Sequence, residues 1–238
     1  MLNLPFPVRD ATASSGANAF GDLPEWDLRD LYASDDAPEL TRDLEWLETA
    51  CASFAANYEG KLGTLDAAGL LDCIHRNEKI ERIAGRIMSF AGLRYYQNTS
   101  DADRAKFLSD MQGKITDLST PLVFFSLEMN RIEDDQLASA YKASADLSRY
   151  KPILDRMRAM KPHQLSDELE KFLHDQSVVG ATAWNRLFDE TTAALEFEVD
   201  GEVLNLESTL NLLTDHDRDR REKGARAVAE VFKDYLPT

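Results

Sequence analysis

The spacing of apolar residues constrains the fold of this chain more than any other feature of its sequence. Over most of its length, apolar side chains recur every three or four residues, which places them along one face of an α-helix. One such stripe lies within residues 38–58, and a longer one runs through residues 66–98. Because amphipathic helices must bury these stripes against one another, the sequence predicts an all-α, irregular multi-helix domain.

The ends of the predicted helices are marked by residues that favour starts and stops. Pro38 suits the first turn of the first helix, and Gly60 suits a stop just beyond it. Asp66 is placed to cap the second helix, and polar residues from Thr99 onward can start a third. Pro121 falls inside the third pattern and is predicted to split it, because proline lacks the amide proton that a helix interior needs.

The second half of the chain continues the helical pattern in shorter pieces. We predict a helix over residues 133–141 and another over residues 147–160, the latter with Ile153, Leu154, Met157 and Met160 facing inward. Ser166 is predicted to cap the next helix. Its apolar stripe predicts a core-facing side made of Leu169, Phe172, Leu173, Gln176, Gly180, Ala183, Trp184, Leu187 and Phe188.

One segment has the pattern of a β-hairpin. Side chains alternate between apolar and polar over residues 195–199, and Asp200-Gly201 is a pair typical of a tight two-residue turn. Residues 203–206 then lead back. The fold class is therefore predicted to be all-α with one small β-hairpin at about residues 195–206.

The two ends of the chain differ in character. Residues 1–22 are rich in Ala, Ser, Gly and Asn and lack periodicity, so we predict a flexible leader followed by a folded region over residues 23–238. Thr214 or Asp215 is predicted to cap the last helix, whose inward side chains would be Ala225, Val228, Ala229, Phe232 and Leu236. This pattern is still running at the final residues, which indicates a region truncated before a further domain.

The composition argues against several classes of partner. The chain has 238 residues, with 27 Lys+Arg against 43 Asp+Glu, and a formal net charge of -16. Binding to phosphate groups needs a basic surface, so we expect neither nucleic acid nor an anionic membrane as a partner. Cys51 and Cys73 form no Cys-x-x-Cys pair and are predicted to be buried thiols in a reducing compartment. No secretory signal or membrane-length apolar run is visible, which predicts a cytoplasmic protein.

The histidines limit the chemistry that the chain can carry. They are His75, His163, His174 and His216, and none of them begins a His-Glu-x-x-His segment, the helical zinc site of metallopeptidases. The sequence also lacks the Gly-x-Ser-x-Gly, Gly-x-Gly-x-x-Gly and P-loop patterns. We therefore predict that this chain has no catalytic, cofactor-binding or metal-binding residues.

Five segments, in order along the chain, carry a resemblance to a known family. They are residues 26–32, 54–62, 163–170, 183–188 with 195–197, and 217–225. In turn they resemble the motifs Trp-Asp-Leu-x-Asp-Leu-Tyr, Phe-x-x-x-Tyr-x-Gly-Lys-Leu, His-x-Leu-Ser-x-x-x-Glu, Ala-Trp-x-x-Leu-Phe and Asp-Arg-x-x-Arg of the oligoendopeptidase F group. This group belongs to the thimet-oligopeptidase-like zinc peptidases. The resemblance covers nearly everything from residue 23 to the end.

The resemblance implies a division of labour. In this family the zinc site, a His-Glu-x-x-His segment with a downstream Glu ligand, lies far C-terminal to the region matched here. A mostly helical N-terminal part roofs a deep channel that admits short peptides. The resemblance therefore implies that residues 23–238 shape the substrate channel and are inactive alone. Zinc, the oligopeptide substrate and the C-terminal catalytic domain would belong to the full-length protein.

The motif residues are predicted to have structural roles. Trp26 and Tyr32 should anchor the entering chain on the core, and Trp184 and Phe188 should lie in the core because of their large aromatic area. His163 should fix the entry to the helix that follows it.

Two further expectations concern partners. Faces meant for a missing domain would leave apolar surface exposed, so we expect self-association or a partner chain, through the last helix or residues 121–127. The alternative function is a free-standing helical binding or interaction module without peptidase activity. A downstream His-Glu-x-x-His segment would decide between the two.

Overall fold

A computed structural model of the chain describes residues 26–235. The predicted leader and Leu236 lie outside the described residues. Within them, every regular element is helical except for one two-stranded antiparallel sheet, which confirms the predicted all-α fold with a small hairpin. No helix in this part of the chain is both long enough and apolar enough to cross a membrane.

The described residues divide into two compact units. The larger unit consists of Asp27–Gln97 and Asp103–Ala181, and the smaller unit includes Asn98–Ala102 and the described residues from Thr182 onward. The sequence predicts one folded region over residues 23–238, because the helical pattern continues across these boundaries.

Every regular element among the described residues of the larger unit is helical. Its helices are α1 (Pro38–Tyr58), α2 (Ala67–Gln97), α3 (Ala102–Ser119), α4 (Phe124–Arg131), α5 (Asp134–Ala143), α6 (Ala145–Ser148), α7 (Lys151–Arg158) and α8 (Asp167–Gln176). Short 3-10 turns at Leu62–Thr64, Thr120–Leu122 and Lys161–His163 join some of them. As predicted, Pro38 lies in the first turn of α1, and the Asp66 carboxylate accepts a hydrogen bond from the Gly69 amide at the start of α2.

The core of the larger unit is built from the two stripes predicted first. On α1 the buried side chains are Leu40, Leu47, Cys51, Phe54 and Tyr58, and on α2 they include Leu70, Ile74, Ile80, Ile87 and Tyr95. The ring of Phe54 lies 5.7 Å from that of Phe124 and 5.9 Å from that of Phe125, measured between ring centres. Full burial of one such side chain stabilises the fold by about 1.5–3 kcal/mol, so these stripes dominate the packing energy.

Pro121 splits the third helical pattern, as predicted. A 3-10 turn at Thr120–Leu122 follows α3, and α4 then starts at Phe124. Most apolar residues of this segment, Leu122, Phe124, Phe125 and Leu127, are buried in the core of the larger unit. The expectation that residues 121–127 offer an exposed association surface is therefore wrong. The apolar run fills the interior instead of covering the outside.

The helix predicted over residues 147–160 is two helices, α6 and α7. Pro152 stands in the first turn of α7, where its missing amide proton costs nothing, so the chain starts a new helix there. The restart changes which side chains face inward. Leu154 is buried as predicted, but Ile153 and Met160 are 60% and 61% exposed, so the prediction for these two is wrong.

The long stripe after Ser166 is also interrupted. Ser166 caps α8 as predicted, because its side chain accepts a hydrogen bond from the Leu169 amide. The helix ends at Gln176, and α9 (Ala181–Ala193) begins after a four-residue break. Since the stripe is not on one helix, it forms no continuous core face.

The large side chains of this stripe are exposed. On α8, Leu169, Phe172 and Leu173 are each about half exposed, and on α9 Trp184 and Phe188 are 70% and 66% exposed. The prediction that they lie in the core is wrong. Helical periodicity shows that one face is apolar, but it does not show what covers that face.

The smaller unit contains the hairpin. Its elements are α9, β1 (Phe197–Val199), β2 (Glu202–Leu204), α10 (Leu206–Asn211) and α11 (Arg218–Tyr235). Phe197 pairs with Leu204 in the antiparallel ladder, and the turn residues Asp200 and Gly201 have φ of 54° and 82°. Both positive values are the signature of a primed turn and confirm the predicted hairpin. Leu195, Phe197, Val199 and Ala227 form the small core.

The start of α11 differs from the prediction. The helix begins at Arg218, and its cap is Asp217, whose carboxylate accepts a hydrogen bond of 2.9 Å from the Asp219 amide. The predicted caps, Thr214 and Asp215, precede this position. Asp215 instead accepts a hydrogen bond of 2.9 Å from the amide of Asp217.

The buried face of α11 also differs from the prediction. Gly224 and Ala227 are buried, whereas Ala225 and Ala229 are exposed. A Cβ atom at Gly224 would stand 2.9 Å from Leu212 Cβ, closer than real Cβ atoms approach. The close approach at this glycine fixes the rotation of the helix, and an apolar pattern alone could not reveal it.

The N-terminal end of the larger unit is held by Tyr32 and Arg86. Tyr32 is buried, and its hydroxyl donates a hydrogen bond of 2.6 Å to Asp43 Oδ2. The Arg86 guanidinium lies 4.3 Å from the centre of the Tyr32 ring and donates from Nε to the Leu31 carbonyl oxygen at 3.0 Å. Tyr32 is thus the anchor that the sequence predicts, whereas Trp26 is 72% exposed and is not.

Arg86 also lies 3.4 Å from Asp43 through Nη1. We expect Arg86→Met to destabilise the larger unit by about 2 kcal/mol, because it leaves the Leu31 carbonyl and Asp43 without this charged donor. Urea unfolding followed at constant pH measures this change. Arg42→Met is the matched control, since Arg42 makes an exposed ion pair with Glu39 and should change the free energy of unfolding by less than about 0.5 kcal/mol. Equal effects of the two substitutions would contradict the anchoring role.

Candidate functional site

The larger unit contains an open cavity of about 770 Å³. It lies among α1, α2, α3, α4, α7 and α8. Its apolar lining consists of Leu47, Cys51, Ile80, Ala84, Ile115, Leu118, Leu122, Val123, Phe125, Met157 and Leu173. Its size and apolar lining are those of a typical small-ligand site, which makes it the candidate site.

The polar part of the lining is small and acidic. It consists of Asn77, Glu81, Ser119, Ser126, Glu170 and His174. Two of these side chains are carboxylates, and the lining, all of it within the described residues, contains no lysine or arginine. The cavity therefore combines an apolar floor with negative charge.

Ser119 and His174 form a contact at the edge of the cavity. The distance from Ser119 Oγ to His174 Nε2 is 3.0 Å, which is within the range of a nucleophile and its base. The Ser119 hydroxyl, however, donates its proton to the Thr116 carbonyl oxygen at 3.2 Å. The contact between Ser119 and His174 ties α8 to the end of α3.

Polar contacts attach α8 to the rest of the larger unit. Asp167 at its start forms an ion pair with Arg131, and Lys171 lies 3.1 Å from Glu59. Asp175 near its end accepts a hydrogen bond from the hydroxyl of Thr120. No side chain of α8 is buried. One wall of the cavity is therefore held by hydrogen bonds and ion pairs, and little by apolar packing.

The two cysteines are free and buried, as predicted. Burial raises the pKa of the Cys51 thiol to about 11, with a smaller contribution from the negative charge of Glu81. Burial likewise raises the pKa of Cys73 to about 12. Both thiols stay protonated at neutral pH, so Cys51 contributes to the cavity as an apolar side chain and not as a nucleophile.

The described residues do not fit the zinc ion that the family resemblance implies. His75, His163 and His216 are exposed, and His174 is bonded to Ser119. Across residues 26–235, no three side chains of His, Cys, Asp or Glu are grouped so that they could hold a metal ion. No catalytic step can be derived through zinc from this set of donors.

The segment at 54–62 has a structural role that the sequence did not reveal. Gly60 has a φ of 78°, which favours glycine, and its amide donates a hydrogen bond of 2.5 Å to Glu128 Oε1. The Leu62 amide donates to Oε2 of the same carboxylate at 3.2 Å. Lys61 Nζ donates to the carbonyl oxygens of Ala56 and Asn57 at the end of α1. Glu128 has no sequence signal, because it lies more than 60 residues away from this turn.

The entry to α8 is fixed by Gln164 and not by His163. The Gln164 side chain accepts a hydrogen bond of 3.1 Å from Asn130 Nδ2 and donates one of 3.4 Å to the Leu127 carbonyl oxygen. Glu170 adds a hydrogen bond of 2.8 Å from the Leu165 amide. His163 is exposed, so the prediction for it is wrong.

The raised thiol pKa values have a testable consequence. At pH 8 we expect both thiols of the folded chain to react with a disulfide reagent at least about a hundred times more slowly than in concentrated urea, because little thiolate is present and burial blocks access. A thiol that keeps its proton only when folded stabilises the fold less as pH rises above its ordinary value of about 8.5. The free energy of unfolding should therefore fall between about pH 9 and 11.

Fast labelling of either cysteine in the native chain at pH 8 would contradict this assignment. A Cys51→Ala variant separates the two sites, because any remaining reaction then comes from Cys73. Denaturation in urea at the same pH confirms that the reagent reaches both thiols once the chain is unfolded.

Comparison with known proteins places the chain near oligopeptidases. A family model described as Oligopeptidase F matches residues 128–197. Oligopeptidase PepF of Bacillus subtilis is 23% identical over 220 residues, which is 90% of this chain and 32% of that protein. Group B oligopeptidase PepB of Streptococcus agalactiae is 23% identical over 221 residues, which is 90% of this chain and 36% of that protein.

A solved structure agrees in fold. The crystal structure of oligoendopeptidase-F from Enterococcus faecium matches with a TM-score of 0.67 at 22% identity, covering 83% of this chain and 40% of that one. The chain thus spans about a third of the length of the curated relatives that it matches. Taken together, the chain is similar in sequence to part of these curated oligopeptidases and similar in fold to part of oligoendopeptidase-F.

Proposed function

We propose that this chain is the helical, substrate-channel-shaping part of an oligopeptide-cleaving zinc metalloendopeptidase. The alignment carries the proposal, because 90% of the chain matches curated oligopeptidases while it spans only about a third of their length. In enzymes of this kind, zinc activates water and polarises the scissile carbonyl. We assign that chemistry to the remainder of such a protein and the selection of short peptides to this part.

The structural roles of the motif residues support this division. Tyr32 anchors the chain, Gly60 and Leu62 bind the carboxylate of Glu128, and Ser166 caps a helix. Each of these residues that carry the resemblance is explained by folding. Because the motif residues have structural roles, this part is suited to forming a wall of the substrate channel. We therefore propose that it is inactive alone.

The exposed aromatic residues of α9 support a contact with a further part of the protein. Trp184 and Phe188 lie within the segment matched by the family model, yet both are mostly exposed. Exposed patches of large apolar side chains often mark the surfaces through which proteins interact. We propose that this face contacts the catalytic part, and that in its absence it promotes self-association.

A free-standing binding module is the second candidate function. The observation that favours it is the cavity of about 770 Å³, which lies wholly within the larger unit and therefore needs no further domain to be formed. For both candidate functions we propose a cytoplasmic protein. The two free thiols support this location, because disulfides are rare in the cytoplasm.

The proposal predicts that the chain of residues 1–238 does not hydrolyse peptides. We expect no turnover of an internally quenched oligopeptide when one equivalent of zinc is added, because the described histidines are not grouped into a metal site. Fluorescence release measures turnover, and a complete oligopeptidase serves as the positive control. Hydrolysis by the chain with one equivalent of bound zinc would overturn the proposed inactivity.

The genomic sequence after codon 238 distinguishes the two candidate functions. A His-Glu-x-x-His segment encoded there, in frame or in an adjacent frame, supports the peptidase part. Its absence from the surrounding sequence supports the free-standing module.

A further inference from the structure

The cavity of the larger unit offers an apolar group a place to bind. Its apolar lining is formed by side chains from six helices, of which Leu118, Phe125 and Met157 are representative. A volume of about 770 Å³ is larger than one side chain needs. Transfer of an apolar group from water into such a lining is favourable in proportion to the area that it buries.

The charge of the lining selects among apolar ligands. Glu81 projects from α2 and Glu170 from α8, so the two carboxylates come from different walls. The basic side chains that hold α8, Arg131 and Lys171, are paired with Asp167 and Glu59 and do not line the cavity. An anionic ligand would therefore be repelled, whereas a cation would find an opposite charge beside the apolar floor.

The raised pKa of Cys51 agrees with a negative charge close to the cavity lining. Burial is the main cause of the rise in this pKa, and the negative charge of Glu81 adds to it. Cys51 and Glu81 both belong to the lining. A positive group bound in the cavity would gain from the negative charge of Glu81.

We infer that the cavity binds the N-terminal residue of a peptide whose first side chain is large and apolar. In such a residue a positive α-ammonium group is attached to the same carbon atom as the apolar side chain, which matches a floor of apolar groups beside two carboxylates. The choice of a peptide over another amphiphilic cation rests on the proposed function. The charge and apolar character of the ligand rest on the cavity alone.

A pair of peptides tests this inference directly. Phe-Gly-Gly amide and its N-acetylated form have the same apolar side chain but differ in the positive charge. We expect the chain of residues 1–238 to bind the free amine at least about ten times more tightly than the acetylated form, as measured by calorimetry. Equal affinity for the two peptides, or binding of neither, would overturn the inference.

Variants of the two carboxylates test the source of the preference. We expect the double variant Glu81→Gln with Glu170→Gln to reduce the ratio of the two affinities to less than about threefold. Glu48→Gln is the matched control, because Glu48 is an exposed carboxylate of α1 outside the cavity and should leave the ratio unchanged. If Glu48→Gln lowers the ratio as much as the double variant does, the preference reflects only the net charge of the chain.

A variant that fills the cavity tests the location. Ala84→Leu places a larger side chain of good helix propensity into the lining, and we expect it to weaken binding of both peptides at least about tenfold. Circular dichroism and thermal unfolding verify that the variant is folded, and the carboxylate variants remain decisive if it is not. Unchanged binding by folded Ala84→Leu would overturn the location.

This experiment is separate from the test of the proposed function. Peptide binding is measured without zinc and without turnover, so a failure here leaves the peptidase assignment to the genomic sequence and to the hydrolysis assay. Preferential binding of the free amine together with no His-Glu-x-x-His segment would retain the cavity and reject the peptidase.

Discussion

The packing of α1 against α2 is the contact on which the larger unit depends. The stripe of α1 supplies Phe54 and Tyr58, and the rings of Phe124 and Phe125 close over Phe54 from the other side. Two polar contacts join other segments to these helices. Glu128 joins the turn after α1 to α4 through two backbone amides, and Arg86 on α2 holds the entering chain. Leu47 and Cys51 of α1 and Ile80 of α2 belong to this core and also line the cavity.

The sequence predicts the elements of this protein well where one local rule decides the outcome. The stripes of α1 and α2, the break at Pro121, the cap at Ser166 and the turn at Asp200-Gly201 each follow from the chemistry of a few neighbouring residues. The resemblance to oligoendopeptidase F, which rests on five short segments, is likewise confirmed by the comparisons.

The sequence does not predict features that depend on contacts between residues far apart in the chain. The aromatic side chains of α9 have the periodicity of a core stripe, but periodicity alone does not tell a covered face from an exposed one. The rotation of α11 is set by the approach of Leu212 to Gly224, and the cavity exists only because several helices converge. No pattern within one helix contains that information.

The way in which α8 is attached has a consequence for the environment in which the cavity keeps its shape. Dissolved salt weakens attraction between exposed charges, with a screening length of about 10 Å at 0.1 M, whereas it leaves apolar packing intact or strengthens it. The pairs of α8 with Arg131 and Glu59 are partly open to solvent. Added salt should therefore weaken the ion pairs that hold this wall of the cavity more than the apolar packing of its floor.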